Sequence, residues 1–244
     1  MKIVAWNAGM VFRKKIDKIL PLKADILVIS ECEKSEKWGQ IDKEKGINDF
    51  LWEGDNPNKG IGIITFDERY QIEIHPDYDK SFRYIVPIKV SADKQDFIMF
   101  AVWSQKGEKR YSSYIGQIYL ALEQYAYLLK EPCIIVGDWN NCKRYDRIKR
   151  VKTHSEVVKF LEGFGIKSAY HYFSKEEQGD EDETKATHYF RKEKARPFHI
   201  DCLFASEIFL NELESIEIGS YEEWIEFSDH MPISAEFNKW FALK

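Results

Sequence analysis

The sequence predicts an α/β protein in which helices pack outside a sheet core. Three observations point that way. Short, nearly continuous apolar runs, such as Cys133 to Val136 in "CIIVGDWNN", read as strands buried on both faces, the habit of parallel sheets. Two longer runs, "FRYIVPIKV" and "DFIMFAVW", flank "SADKQ" and read as an antiparallel hairpin. Three further segments carry apolar residues at helical spacing. Parallel-type strands, hairpin strands and amphipathic helices in one chain bury their apolar faces together when helices cover a mixed sheet.

The elements follow in order. "KIVAW" is a strand, and "RKKIDKILPLK" a short helix with Ile16, Ile19 and Leu20 on one face. "ADILVIS" is a second buried strand that runs into Glu31, and "GIGIIT" is a third, after a loop rich in Gly and Asn. The hairpin comes next, then the longest helix, over 113–130, with Ser112 or Ser113 as its cap. Its apolar stripe is Ile115, Ile118, Tyr119, Leu122, Ala126 and Leu129. After "CIIV", a helix over 155–163 turns Val157, Val158 and Leu161 inward, and "KEEQGDEDET" is a solvated acidic loop. Strands at "HIDCLFA" and "PISAEF" close the chain. Neither a repeat nor a linker rich in Pro, Gly or Ser interrupts it, so the expectation is one domain over 1–244.

Composition narrows the function classes. With 44% hydrophobic and 32% charged residues in 244, the chain has the make-up of a folded domain with a sizeable core, not of a disordered segment. A formal net charge of −5 announces no nucleic-acid binder, although an acidic average can hide a basic face. The amino-terminal run lacks the pattern of a signal peptide, and no apolar stretch reaches membrane-spanning length. The four cysteines are scattered without a Cys-x-x-Cys pair, which fits reduced thiols and a cytoplasmic location.

Polar side chains gather at the strand ends. A turn explains Gly137, Asp138 and Asn140 when "GDWNN" is taken alone. But the first strand also ends in Asn7, the second in Glu31, "HIDCLFA" carries Asp201, and "SDH", Ser228 to His230, precedes the last strand. Charges at the ends of buried strands are costly unless paired or bound to a metal. Amide and carboxylate oxygens suit a hard divalent cation, and a histidine near aspartates suits proton transfer or charge stabilisation.

The ordered set "WN", "ISE", "GDWN", "HID" and "SDH" resembles the endonuclease/exonuclease/phosphatase superfamily, from Asn7 to His230. The resemblance implies a four-layer α/β sandwich, two mixed β-sheets packed face to face and flanked by helices. It also implies phosphoester hydrolysis dependent on Mg²⁺ or Mn²⁺. Asn7 and Glu31 match metal-holding positions, Glu31 the principal one, and Asp229 matches a residue near the metal. Asp138 matches the residue that orients or deprotonates the attacking water, and Asn140 its positioning partner, which also contacts the phosphate. His230 matches the histidine that bonds the phosphoryl oxygen, and Asp201 the carboxylate that orients it. Two positions depart from the pattern. Trp103 stands where many relatives carry Tyr or His against the phosphate, with Tyr114 or Tyr111 as possible substitutes. Gly9 stands where some relatives offer a second carboxylate, which favours one metal over two.

The remaining candidates surround this set. Trp139 either stacks on a base or sugar or simply packs. Two basic runs, "CKRYDRIKRVK" with Arg144, Arg147 and Arg150, and "RKEKAR", leave or enter the motif strands and are either solvated loops or a phosphate-tracking rim. His75, His154, His171, His188 and His199 lack a motif context and are expected to be non-catalytic. Strand alternation turns Cys32 and Cys202 away from the motif side chains beside them. The leading functional reading is a metal-dependent phosphodiesterase, a nuclease acting on DNA or RNA. The alternatives are a phosphatase or phosphodiesterase acting on a small molecule or lipid headgroup, and a non-catalytic binding module. Nucleic acid is the expected partner, with no protein partner implied.

Overall fold

The computed structural model describes residues 1–39, 44–92, 95–107, 109, 112–147, 152–176 and 183–238. Six strands form one sheet in the order β13-β14-β1-β2-β4-β3, six form a second in the order β5-β6-β7-β8-β12-β9, and β10 and β11 pair as a small ribbon. In the first sheet, β1 (Lys2–Asn7) runs parallel to β2 (Ile26–Cys32), while β3 (Asp49–Asn56), β4 (Lys59–Thr65), β13 (Leu213–Ile218) and β14 (Ile233–Phe237) join antiparallel. In the second, β7 (Phe97–Trp103) runs parallel to β8 (Cys133–Asp138). There β5 (Tyr70–Ile74), β6 (Ile85–Ala92), β9 (Ile166–Ser168) and β12 (Asp201–Ser206) pair antiparallel.

Alternation along the strands builds the layers. Ile3, Ala5, Ile26 and Val28 of the first sheet meet Val86, Met99, Ile134 and Leu203 of the second in one core. Their neighbours Val4, Trp6, Leu27 and Ile29 face a second core with Ile16 and Ile19 of α1 (Ile16–Ile19). On the far side, Cys133, Ile135 and Phe204 pack under α2 (Ile115–Gln124) and α3 (His154–Glu162). The result is the four-layer sandwich with two mixed sheets.

Several elements differ from the sequence-based expectation. The helix beginning near 113 stops at Gln124 and resumes only as a single 3₁₀ turn, Leu128–Lys130. Neither expected serine caps it, because Ser113 Oγ bonds the carbonyls of Gly107 and Lys109 instead. The capping box at α3 is Thr153 with Glu156, strengthened by Asp146, whose carboxylate accepts from the His154 and Ser155 amides at 2.7 and 3.0 Å. Strands β3, β5, β9 and β13 and the β10–β11 ribbon (His188–Tyr189 and Pro197–Phe198) escaped the sequence reading. All are edge or ribbon strands, most with half-exposed, polar-rich patterns, and the three-residue β9 is too short to carry a pattern.

Candidate active site

Parallel pairing of β1 with β2 and of β7 with β8 puts their carboxyl ends on one rim, and antiparallel β12 and β14 begin there. Side-chain parity does the rest. Asn7 follows Ile3 and Ala5, Asp138 follows Ile134 and Val136, and Asp201 precedes Leu203 and Ala205, so all three face the space between the sheets. Glu31 reaches this side by a different device. The β2–β4 register slips between Ser30 and Cys32, and Glu31 has φ 58. Cys32 then packs outward with Leu27 and Ile29, two residues of opposite parity. Without this bulge Glu31 would face the outer helical layer; with it, the carboxylate enters the cleft.

Gly137 sets the turn into Asp138. Its φ is 136, and a Cβ there would lie 2.0 Å from the Val102 carbonyl oxygen, so only glycine fits. The Asp138 carboxylate is held from three directions. Oδ1 accepts from the Asn140 amide at 2.7 Å, and Oδ2 accepts from Asn140 Nδ2 and Asn7 Nδ2, both at 2.9 Å. Asn140 (φ 48) also donates to the Ser104 carbonyl at 3.0 Å. Burial raises the Asp138 pKa to about 7, against the pull of His230 and its two asparagine partners, with Asp201 adding to the rise.

His230 and Asp201 form a dyad, with Nδ1 2.8 Å from Asp201 Oδ2. Burial opposes the charged imidazole, but Asp201, Asp138 and Asp229 outweigh it and raise the His230 pKa to about 10. The backbone is tied as firmly. Trp6 Nε1 donates to the His230 carbonyl at 2.9 Å, and Ser228 Oγ donates to the Asn7 carbonyl at 2.7 Å while accepting from the His230 amide. Thr187, a position that sequence reading missed, links the last two motifs. Its hydroxyl accepts from the Ile200 and Asp201 amides, both at 2.9 Å, and its carbonyl accepts from Met231 at 2.7 Å.

Glu31 stands at the edge of this network, with Asn7 Nδ2 at 3.5 Å and Lys59 Nζ at 3.3 Å. Asn7 is more a bridge than an open ligand, since its Oδ1 accepts from the Gly9 amide at 3.0 Å. Glu31, Lys59, Arg83, Trp103, Tyr114 and Asn140 line a cleft of about 360 Å³. Trp103 stacks on Tyr84 with centroids 5.0 Å apart, and Lys59 lies over its ring. Lys59, Arg83 and Lys15, which bonds the Ala8 carbonyl, are site cations without a motif to reveal them. Lys15 is half-buried, which pulls its pKa down.

Among the described residues, two sets of three side chains each bring a ligand atom within 4.8 Å of the others: Asp138, Asp201 and His230, and His188, Asp229 and His230. The site thus has acidic and imidazole groups that could hold a metal ion. His188, expected to be non-catalytic, belongs to it. Its ring lies 4.5 Å from that of His230, and its Nε2 lies 3.5 Å from Asp229 Oδ2.

Other expectations fall away. Trp139 is fully buried and stacks on Phe204 at 4.7 Å in the outer layer, so it packs and does not meet substrate. Parity decides this, because Trp139 follows Asp138 and points the other way. The basic run after "GDWNN" divides. Arg144 bonds the Pro197 carbonyl at 3.0 Å and covers Phe198, two rings from His230. Lys143 instead lines a groove of about 540 Å³ with Lys159, Lys167 and His171. Arg147 ends the turn Lys143–Arg147, and Arg150, like Tyr111, lies outside the described residues. In the second run, Lys194 pairs with Glu222 and Arg196 with Glu193.

No protein-family model matches the chain, and no curated protein matches it. Solved structures do. An AP endonuclease from Archaeoglobus fulgidus superposes with a TM-score of 0.70 at 18% identity, covering 98% of this chain and 99% of the other. The 3'-5' exonuclease NExo from Neisseria meningitidis gives 0.68 at 18% identity, covering 97% and 99%. The endonuclease domain of TRAS1, a telomere-specific non-LTR retrotransposon, gives 0.64 at 15% identity, covering 97% of each chain. The likeness is one of fold over essentially the whole chain.

Proposed function

We propose that this chain is a divalent-metal-dependent phosphoesterase that hydrolyses phosphodiester bonds in nucleic acid. The observation that carries this is the pairing, on one rim, of a buried carboxylate held by three donors with a carboxylate-braced histidine. Asp138 is raised toward neutrality, so it can take a proton from a water aligned by Asn140 and Asn7. His230 is held as a cation by Asp201 and donates to the phosphoryl oxygen as charge builds there. Buried donors already aimed at that point need no reorganisation during the reaction.

The donor set fits a hard cation. The Glu31 carboxylate lies 3.5 Å from the Asn7 side chain, which also reaches the buried Asp138 carboxylate. Glu31, with Asn7, would hold Mg²⁺ or Mn²⁺, while the Asp229 carboxylate is turned to His188 and His230. Such an ion supplies charge neutralisation on the phosphate when bound. Nucleic acid as the substrate class draws support from structural neighbours described as an exonuclease, an AP endonuclease and a 3' phosphatase bound to a product DNA hairpin. Arg144, Lys59 and Arg83 give the acidic chain a local basic rim. Four buried cysteines, none of them in a disulfide, agree with a reducing, cytoplasmic setting. Among the described residues no helix is long and apolar enough to cross a membrane.

The test is one activity panel with Mg²⁺ or with chelator: abasic duplex, plasmid, single-stranded DNA, RNA, an aryl phosphodiester and an aryl phosphomonoester. Mg²⁺-dependent cleavage of at least one polynucleotide is the expected result. Turnover of the monoester alone would move the assignment to a small-molecule phosphatase.

A further inference from the structure

His188 gives the rim a second kind of donor set. The ordered oxygens around Glu31 suit Mg²⁺, but His188, Asp229 and His230 bring two imidazoles and one carboxylate together, each with a ligand atom within 4.8 Å of the others. We propose that these three side chains form a separate site for a borderline transition metal, Zn²⁺ above all, distinct from the oxygen set that includes Glu31.

Three observations carry it. The distance from His188 Nε2 to Asp229 Oδ2 is 3.5 Å, long for a charge-assisted hydrogen bond. It is close to the edge of a tetrahedral site with bonds of about 2.0–2.1 Å, which is about 3.3–3.4 Å. Second, His230 spends Nδ1 on Asp201 at 2.8 Å, which leaves Nε2 as its metal-facing atom. A carboxylate behind a histidine is the usual outer support of a zinc ligand, fixing its tautomer and raising its basicity. Third, the His188 side chain is only 11% exposed, and its Nδ1 is buried without a hydrogen-bond partner. Nδ1 therefore makes no demand on the tautomer, and a metal would take the place of the proton between Nε2 and the Asp229 carboxylate.

The backbone holds the three in place. His188 and His230 face each other across an antiparallel bridge, and the Tyr189 amide donates to the Asp229 carbonyl at 2.8 Å. The donor types set the selectivity. Imidazole nitrogen favours Zn²⁺, Co²⁺ or Ni²⁺, whereas Mg²⁺ and Mn²⁺ prefer oxygen ligands and water. Occupancy would take Nε2 of His230 and the Asp229 carboxylate out of use, so Zn²⁺ should inhibit. That consequence rests on the proposed phosphoesterase activity, and the binding itself does not.

The experiment is a titration of the full-length protein with Zn²⁺, and separately with Co²⁺, in buffer holding excess Mg²⁺. Heat and visible absorption are the readouts. His188→Phe keeps an aromatic ring in the same space and removes both nitrogens, and His188→Gln is run beside it. Thermal unfolding of each variant first checks that it folds. One Zn²⁺ per chain should bind despite the Mg²⁺, with a visible Co²⁺ band, and whichever variant folds should lose that band and bind Zn²⁺ at least tenfold more weakly. An unchanged Zn²⁺ isotherm in a folded variant, or competition of Mg²⁺ for the same site, would overturn the proposal. Both results stand whatever the activity panel shows.

Discussion

Asp138 and His230 face a common space from opposite sheets, and their neighbours have already paid the cost of orienting them. Asp138→Asn keeps the shape and most of the hydrogen bonds but cannot accept a proton. We expect it to lower turnover by about a hundred- to ten-thousandfold while substrate binding stays within a few-fold. His230→Ala should act similarly, and the double variant should lose less than the product of the two, because groups acting on one step are non-additive. Single-turnover kinetics on a labelled oligonucleotide check both, and near-native rates for Asp138→Asn would refute its assignment. Much of this site was legible one residue at a time, since the motif side chains lie at the ends of core strands, where alternation fixes their direction. Trp139 was left open between stacking and packing, although the same alternation turns it into the outer layer beside Phe204. His188 was missed because a two-residue ribbon strand gives no periodic signal.

At the level of elements, the site depends on segments whose sequences look unremarkable. The bulge at Glu31 and the ribbon beginning at His188 do the positioning, and neither has a composition that announces it. Thr187 shows the consequence. Replacing it with Val strands the Ile200 and Asp201 amides in a buried position, at about 1–3 kcal/mol each. Thr187→Val should therefore lower the unfolding free energy measurably in urea and disturb the Asp201–His230 pair; native stability would remove Thr187 from the account. The seating of α3 gives a pH-dependent test. Burial against Trp139 lowers the His154 pKa to about 4, from about 6.5 when unfolded. Below pH 6.5 the unfolded chain binds the extra proton and the folded chain resists it, so this contribution is lost as pH falls from 6.5 to 4. The loss amounts to about 3 kcal/mol. Urea unfolding at pH 7, 5.5 and 4.5 should show a shallower acid decline for His154→Leu than for the native chain.

Across the whole molecule, the class and layering were readable because core strands and amphipathic helices carry strong patterns. The edge strands were not, since half-exposed polar sequences in β3 and β13 resemble loops. The two sheets share one core, and we propose that the chain unfolds as a single domain. The net charge of −5 opposes polynucleotide binding at long range, so affinity has to come from the local cations. Arg144→Ala should weaken binding and reduce the salt slope by about one counterion, with hydrolysis of an aryl phosphodiester nearly unchanged. Fluorescence anisotropy over a salt series reads this directly, and an unchanged slope would take Arg144 off the path of the phosphates. The central claim is that Glu31 and its oxygen neighbours bind a divalent cation that hydrolysis requires. It is tested most directly by measuring oligonucleotide cleavage against Mg²⁺ concentration for the native chain and Glu31→Gln. The native chain should be silent in excess chelator and recover fully with Mg²⁺, while the variant should need more Mg²⁺ and remain about a hundredfold or more slower at saturation. Undiminished cleavage in chelator, or matching Mg²⁺ curves for the two proteins, would contradict it.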